Sequence, residues 1–343
     1  MTNTTVKEMT TASWKDIGSI ALTTKNVPIL KPGEVLIRVA ASGICGTDLH
    51  ICKGETPQAT KNVVVGHEFC GYVEEIHPET MAVVKVGDLV AIDPNMPCNQ
   101  CTFCRNKKYH LCLNLFCIGV TVDGGMSQYV AVPARAAITV PAHVPPEVAC
   151  LSEPLSCVVH AVDKGHVKSG DSVLVIGAGP IGLMTTALVN ASGGKVTVIE
   201  PNEFRRKEAL EIFGAAAAYG PGELGPVNGA LGEGYDVVFE CVGRPNTADD
   251  AVKFAKAGGT VVWVGVAKVE DRVSISPYDV YRRELTITST FTNPYGIDRA
   301  VKILAEGRVN WRALVSHSFK LSEFDKAWEV FTAGTGLKVV VKP

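Results

Sequence analysis

Two rhythms divide the chain. Up to about residue 150, short runs of Val, Ile and Leu are broken by turn residues. Glu34-Val35-Leu36-Ile37-Arg38-Val39 and Tyr72-Val73-Glu74-Glu75-Ile76 alternate polar and apolar positions, as half-buried strands do, and Asp88-Leu89-Val90-Ala91-Ile92 adds a third run. Lys31-Pro32-Gly33-Glu34 and Lys85-Val86-Gly87-Asp88 precede strands as turn signals. Near Pro154 the rhythm changes. The spacing predicts a helix over 153–164 with Pro154 in its first turn. Strands at 172–176, 196–200, 236–241 and 260–265 then alternate with helices at 181–190, 204–213 and 247–256. That alternation predicts a parallel sheet wrapped by helices, and the continuously apolar strands suit a sheet buried on both faces. Beyond Thr290 the pattern predicts helices at 298–306 and 323–332 and a last strand at 337–341.

Length and composition narrow the classes. The 343 residues suggest two domains. A net charge of −2 leaves no basic excess to neutralise phosphates, which argues against nucleic acid as a partner. With 46% hydrophobic residues the chain is not mainly disordered. The uncharged stretch 172–189 holds Gly177, Gly179, Pro180 and Gly182, so it is expected to turn rather than cross a membrane. No basic run followed by an apolar stretch marks the first residues, so the expected location is cytoplasmic. The eleven cysteines are an odd count, which favours metal binding or free thiols over a disulfide framework.

Gly177-Ala178-Gly179-Pro180-Ile181-Gly182 follows a predicted strand and opens a predicted helix. That context fits a dinucleotide site: glycines let the backbone approach a pyrophosphate, and the helix N-terminus offers its amides. Glu200 ends the next strand, where a carboxylate binds ribose hydroxyls and repels a 2′-phosphate, so NAD is favoured over NADP. Arg205 and Arg206, close by, weigh against that preference. Arg205, with Val242, Val264, Thr290 and Phe291, completes the expected cofactor contacts. A flavin is the other ligand such a turn could serve.

Cys98, Cys101, Cys104 and Cys112 crowd one loop-like segment, with Cys117 outside the set. Four thiolates close the shell of a tetrahedral zinc, a structural role. An iron–sulfur cluster is the alternative. Elsewhere Cys45, His67 and Glu153 offer a thiolate, an imidazole and a carboxylate, credible zinc ligands that leave one position open. Singly, each also has an ordinary reading: a small core residue, a buried histidine, a surface acid.

In combination these motifs resemble the zinc-dependent medium-chain dehydrogenase/reductase family over nearly the whole chain. The residues that carry the likeness are Cys45-Gly46-Thr47-Asp48-Leu49-His50, Gly66-His67-Glu68-Phe69-Cys70-Gly71, the four-cysteine segment and the glycine motif. Ser152-Glu153-Pro154-Leu155-Ser156 and Leu337-Lys338-Val339-Val340-Val341 look like its polyol, sorbitol-type branch. The resemblance implies an α/β fold: a Rossmann doubly wound domain at 153–291, and a β-rich GroES-like catalytic domain at 1–152 and 292–343 with a zinc lobe at 95–115. It implies two zinc ions per chain. Cys45, His67 and Glu153 would hold the catalytic one, with Glu68 beside it as a direct or exchanging ligand, and Thr47 and His50 map onto the family's proton relay. The implied activity is oxidation of a secondary hydroxyl of a polyol by NAD, giving a ketose, in a homodimer or homotetramer. Alternatives are an L-threonine 3-dehydrogenase, a simple secondary-alcohol dehydrogenase and a non-catalytic dinucleotide-binding relative. The Arg-Tyr pair of animal sorbitol dehydrogenases is absent near Phe291-Thr292-Asn293-Pro294, so sorbitol itself is not implied.

Overall fold

The computed structural model describes residues 7–224 and 233–343, in two compact units, Met1–Ser156 with Pro294–Pro343 and Cys157–Asn293.

The first unit is built on a seven-stranded sheet. Its order is Val315–Lys320, Lys338–Lys342, Glu34–Gly43, Glu68–Ile76, Leu89–Ile92 and Ala137–Thr139, with Tyr129–Pro133 also paired to Glu34–Gly43. The alternation read at 34–39 holds only in part: Val35, Ile37 and Val39 are buried and Arg38 is exposed, but Leu36 is buried as well. Two breaks of register, at Leu36/Ile37 and Val39/Ala41, bend this strand so that it serves three neighbours. The C-terminal strand Lys338–Lys342 returns to the far end of Glu34–Gly43, and Ile44 N donates to Val339 O at 2.9 Å. That pairing is why the last segment belongs with the first unit.

The second unit is a six-stranded, all-parallel sheet in the order Ala217–Tyr219, Lys195–Ile199, Ser172–Ile176, Tyr235–Glu240, Ala255–Trp263, Thr286–Ser289. Chain order reverses between Ser172–Ile176 and Tyr235–Glu240, and ligands of such sheets bind beyond the carboxyl ends at that reversal.

Several elements escape the hydrophobic pattern. The N-terminal hairpin Glu8–Asp16/Ser19–Asn26 buries Thr11 and Ser13, whose hydroxyls bond Thr23 Oγ1 at 2.8 and 3.0 Å, so polar residues occupy inward positions. The edge strands Ala217–Tyr219 and Thr286–Ser289 are short, and no residue of either is fully buried. The helix expected over 247–256 is Pro245–Phe254, because Ala255 already begins the next strand. Among the described residues no helix is long and apolar enough to cross a membrane.

Candidate functional site

Two groups of metal-binding side chains stand in the first unit. In one, the sulfurs of Cys98, Cys101, Cys104 and Cys112 lie within 4.8 Å of one another. The chain gathers them locally. Asn99 and Lys107 adopt left-handed backbone (φ 59 for each), so each cysteine pair turns back on itself. Cys101 caps the short helix Thr102–Arg105, and Cys112 follows the turn Tyr109–Leu111. Backbone amides aim at the sulfurs: Cys98 N to Cys112 Sγ at 3.2 Å, Cys101 N and Asn114 N to Cys98 and Cys112 Sγ at 3.4 Å. The amides of Gln100 and Cys101 hold the Cys98 thiol down at about 6, whereas burial pushes Cys104 up to about 12. Amide donors on sulfur stabilise thiolates, so the set fits a divalent ion that leaves no coordination position open.

The second group is mixed. Donor atoms of Cys45, His67 and Glu68 also lie within 4.8 Å of one another, and both His67 and Glu68 are buried. Cys45 is the N-cap of the helix Gly46–Cys52. Three residues on, the buried Asp48 accepts from Cys45 N at 2.8 Å with one oxygen and from Gly66 N at 3.2 Å with the other. Asp48 thereby ties the start of the helix to the loop that carries His67, and Oδ1 stands 3.8 Å from His67 Nδ1. Burial works to lower the proton affinity of His67, but Cys45, Asp48 and Glu153 together raise it well above the ordinary value. Three acidic groups around one imidazole concentrate negative potential there, which suits a cation.

The loop of His67 is moulded on backbone. Gly125 N donates to Gly66 O and Met126 N to Val65 O, at 2.8 and 3.0 Å. A Cβ at Gly124 would lie 2.3 Å from Gly66 O, so no other residue fits there without moving the loop. Glu68 is paired with the buried Lys338, whose Nζ lies 2.6 and 2.9 Å from its two oxygens. Burial opposes the charge on Lys338, but Glu68 and Cys45 outweigh it and raise its value well above normal.

The remaining expected residues fall as follows. Glu153, in the first turn of Ser152–Gly165, is buried and acts electrostatically on His67, but lies outside the three-donor set. Thr47 Oγ1 is 3.8 Å from Cys45 Sγ. His50 is half-buried on the same helix, with Nδ1 2.7 Å from Glu55. The sequence motifs contain Asp48 and Lys338 but assign neither a role. Asp48 could have been found, because an acid three residues after an N-cap is a capping signature. Lys338 could not, since it lies 270 positions from Glu68.

In the second unit, Gly177 turns left-handed (φ 96) after the strand Ser172–Ile176, Gly179 caps the helix, and Pro180 sits in its first turn. A Cβ at Gly182 would lie 1.8 Å from Gly177 O, so the helix packs against the loop through bare backbone; Ile181 lies in the first turn of that helix. Glu200 follows the strand Lys195–Ile199; its oxygens accept from Ala178 N at 2.7 Å and Asn202 N at 2.9 Å. Arg205 lies in the helix Glu203–Glu211, and Arg206 bonds the carbonyls of Glu200 and Pro201. Val242, Val264 and Thr290 all follow strand ends. The Val242 amide is held at 2.8 Å by Glu240 Oε1, Val264 N donates to Glu240 O, and Thr290 N to Trp263 O; Phe291 is exposed.

Comparison with known proteins fits this geometry. Residues 31–142 match the alcohol dehydrogenase GroES-like domain, and residues 180–306 the zinc-binding dehydrogenase domain. The chain is 31% identical to D-arabinitol dehydrogenase 1 of Uromyces fabae, over 100% of this chain and 99% of that protein. It is 34% identical to L-threonine 3-dehydrogenase of Thermococcus kodakarensis, over 93% of each. A structure from Sinorhizobium meliloti 1021, described as a zinc-binding dehydrogenase bound to NADP, superposes with a TM-score of 0.92 at 35% identity, covering 98% of this chain and 100% of that one.

Proposed function

The chain belongs to the zinc-binding alcohol dehydrogenase family with a GroES-like domain, and from that premise we propose that it oxidises a secondary hydroxyl of a polyol with a nicotinamide dinucleotide, giving a ketose. The observation that carries the reading is the set of Cys45 with the buried His67 and Glu68, three unlike donors with a hydroxyl, that of Thr47, beside them. Three protein ligands leave a place for substrate, as four do not.

A zinc held by Cys45 and His67 with Glu68 or Glu153 would polarise the substrate oxygen, and a nicotinamide dinucleotide held at Gly177–Gly182 would take the hydride. The protein's own groups do the rest. Thr47 Oγ1 would take the substrate's hydroxyl proton while passing its own on, by way of the cofactor ribose, toward His50. His50, on the same helix and 33% exposed, would release a proton to water. Asp48 keeps the helix and the His67 loop in register, and Lys338 gives Glu68 a buried ion-pair partner. The lobe of four cysteines would hold a second, structural zinc. The eleven cysteines, none in a disulfide among the described residues, suit a reducing compartment, the cytoplasm, and the family reading adds a homodimer or homotetramer.

L-threonine also presents a secondary hydroxyl, and the identity to a threonine dehydrogenase favours it as the second reading. The deciding experiment follows reduction of NAD by zinc-loaded protein with tetritols, pentitols, hexitols, L-threonine and 2-propanol. Turnover with polyols alone supports the proposal; turnover with threonine alone replaces it by the second reading. For the cofactor, the placement of Glu200 favours NAD. Glu200→Ala is expected to cut the NAD-over-NADP preference about tenfold, the worth of one charged hydrogen bond; an unchanged ratio would mean Glu200 does not read the ribose.

A further inference from the structure

The helix Gly46–Cys52 ends in a defined way. Lys53 is its half-helical last residue (φ −76, ψ −7), and Gly54 turns left-handed at φ 73. The Gly54 amide then donates to Ile51 O at 2.9 Å and the Glu55 amide to His50 O at 2.8 Å. These two bonds are the paired closure of a Schellman motif, which brings the side chain after the glycine against one in the last helical turn. In most such motifs that contact is apolar and stabilises the helix end. Here it is polar: Glu55 Oε2 lies 2.7 Å from His50 Nδ1. The two side chains are 36% and 33% exposed, and an ion pair so placed adds little stability. The motif has given up an apolar contact for a carboxylate on an imidazole.

The carboxylate has a chemical consequence. Ionised, it can only accept, so Nδ1 must carry the ring hydrogen. Nε2 then bears the lone pair. We propose that Glu55 is a positioning residue for His50: it fixes the tautomer in which Nε2 receives the proton leaving the substrate, and it steadies the imidazolium until that proton passes to water. No atom is gained or lost by Glu55, which remains an ionised acceptor throughout. The proposal rests on the reading of His50 as the exit of the proton path.

Histidine labelled with nitrogen-15 in the full-length protein reports the tautomer directly, with His50→Gln identifying the His50 signals. This readout needs no turnover. The unaltered protein is expected to show His50 protonated at Nδ1. Glu55→Ala should move it toward the Nε2–H form and lower kcat about tenfold, less than the hundredfold or more that loss of a general base costs. KM for polyol and for NAD should stay within about twofold. Glu55→Gln, which keeps the shape and an acceptor oxygen, should restore part of both. If Glu55→Ala leaves tautomer and kcat unchanged while His50→Gln slows turnover, Glu55 has no part and the proton path stands. A lower kcat with the tautomer unchanged would mark mere loosening of the loop and also overturn the proposal. If His50→Gln itself leaves turnover unchanged, the proton path falls and the role of Glu55 falls with it.

Discussion

The two donor sets of the first unit use similar side chains to opposite ends. The four-cysteine lobe gathers like donors from fifteen consecutive positions, 98 to 112, and surrounds them with backbone amides. The mixed set draws Cys45 from a helix N-cap, His67 from a loop, Glu68 from the first position of the strand that follows it, and a counter-charge from Lys338 near the C-terminus. The lobe therefore depends on its own local turns. The mixed site depends on the whole unit being folded, since its parts meet only when the sheet has closed. A site assembled this way can keep a coordination position open, because tertiary packing, rather than a fourth ligand, holds the others apart.

That contrast can be broken at either end. The largest expected effect is Cys45→Ser: turnover should fall about a thousandfold, as loss of several kcal/mol of charge stabilisation implies, with one metal lost per chain and thermal unfolding little changed. Full turnover with one metal fewer would reject the assignment. Lys338→Met comes next. It leaves Glu68 buried without its partner, at a cost of about 3–5 kcal/mol in denaturant titration, and the loss should shrink when zinc is bound; an equal loss with and without zinc would separate Glu68 from the metal. Cys98→Ser should lower Tm by about 5 °C while the surviving fold turns over nearly normally, and an unchanged Tm with unchanged metal content would remove the structural role of the lobe. The smallest effect is that of Gly124→Ala, which should displace Gly66 and weaken metal binding at the mixed site about tenfold without touching the lobe. Equal loss from both sites would contradict their independence.

The same contrast governs what the sequence makes legible. Cys98, Cys101, Cys104 and Cys112, and the turn from Gly177 to Gly182, are read from spacing because the contacts they make are local. The central strands of the parallel sheet are read from continuous apolar runs. Their neighbours at the sheet edges, Ala217–Tyr219 and Thr286–Ser289, carry no such run, for an edge strand is not covered on both sides. The hairpin Glu8–Asp16/Ser19–Asn26 is silent because its inward Thr11 and Ser13 satisfy one another by hydrogen bonds instead of burying hydrocarbon. Cys45, His67 and Glu153 are suggested by residue type and resemblance and Glu68 by resemblance, but the mutual closeness of Cys45, His67 and Glu68 is a tertiary fact. So is the pairing of Glu68 with Lys338.

The four-cysteine lobe leaves and rejoins the body through one narrow ribbon, Asn95–Met96 paired with Phe116–Cys117 in the register Asn95↔Cys117 and Met96↔Phe116. Chain ends joined in this way stand only about 5 Å apart. A tight turn could close that gap, so the lobe is a removable module. Descendants of such a chain could shed it, lengthen it or exchange it for a partner-binding loop while the strands on either side keep their places. The lobe's main ties elsewhere, the edge-on packing of Tyr109 on Tyr295 and the bond from Arg135 to Pro97 O, would then mark where a shortened version needs repair.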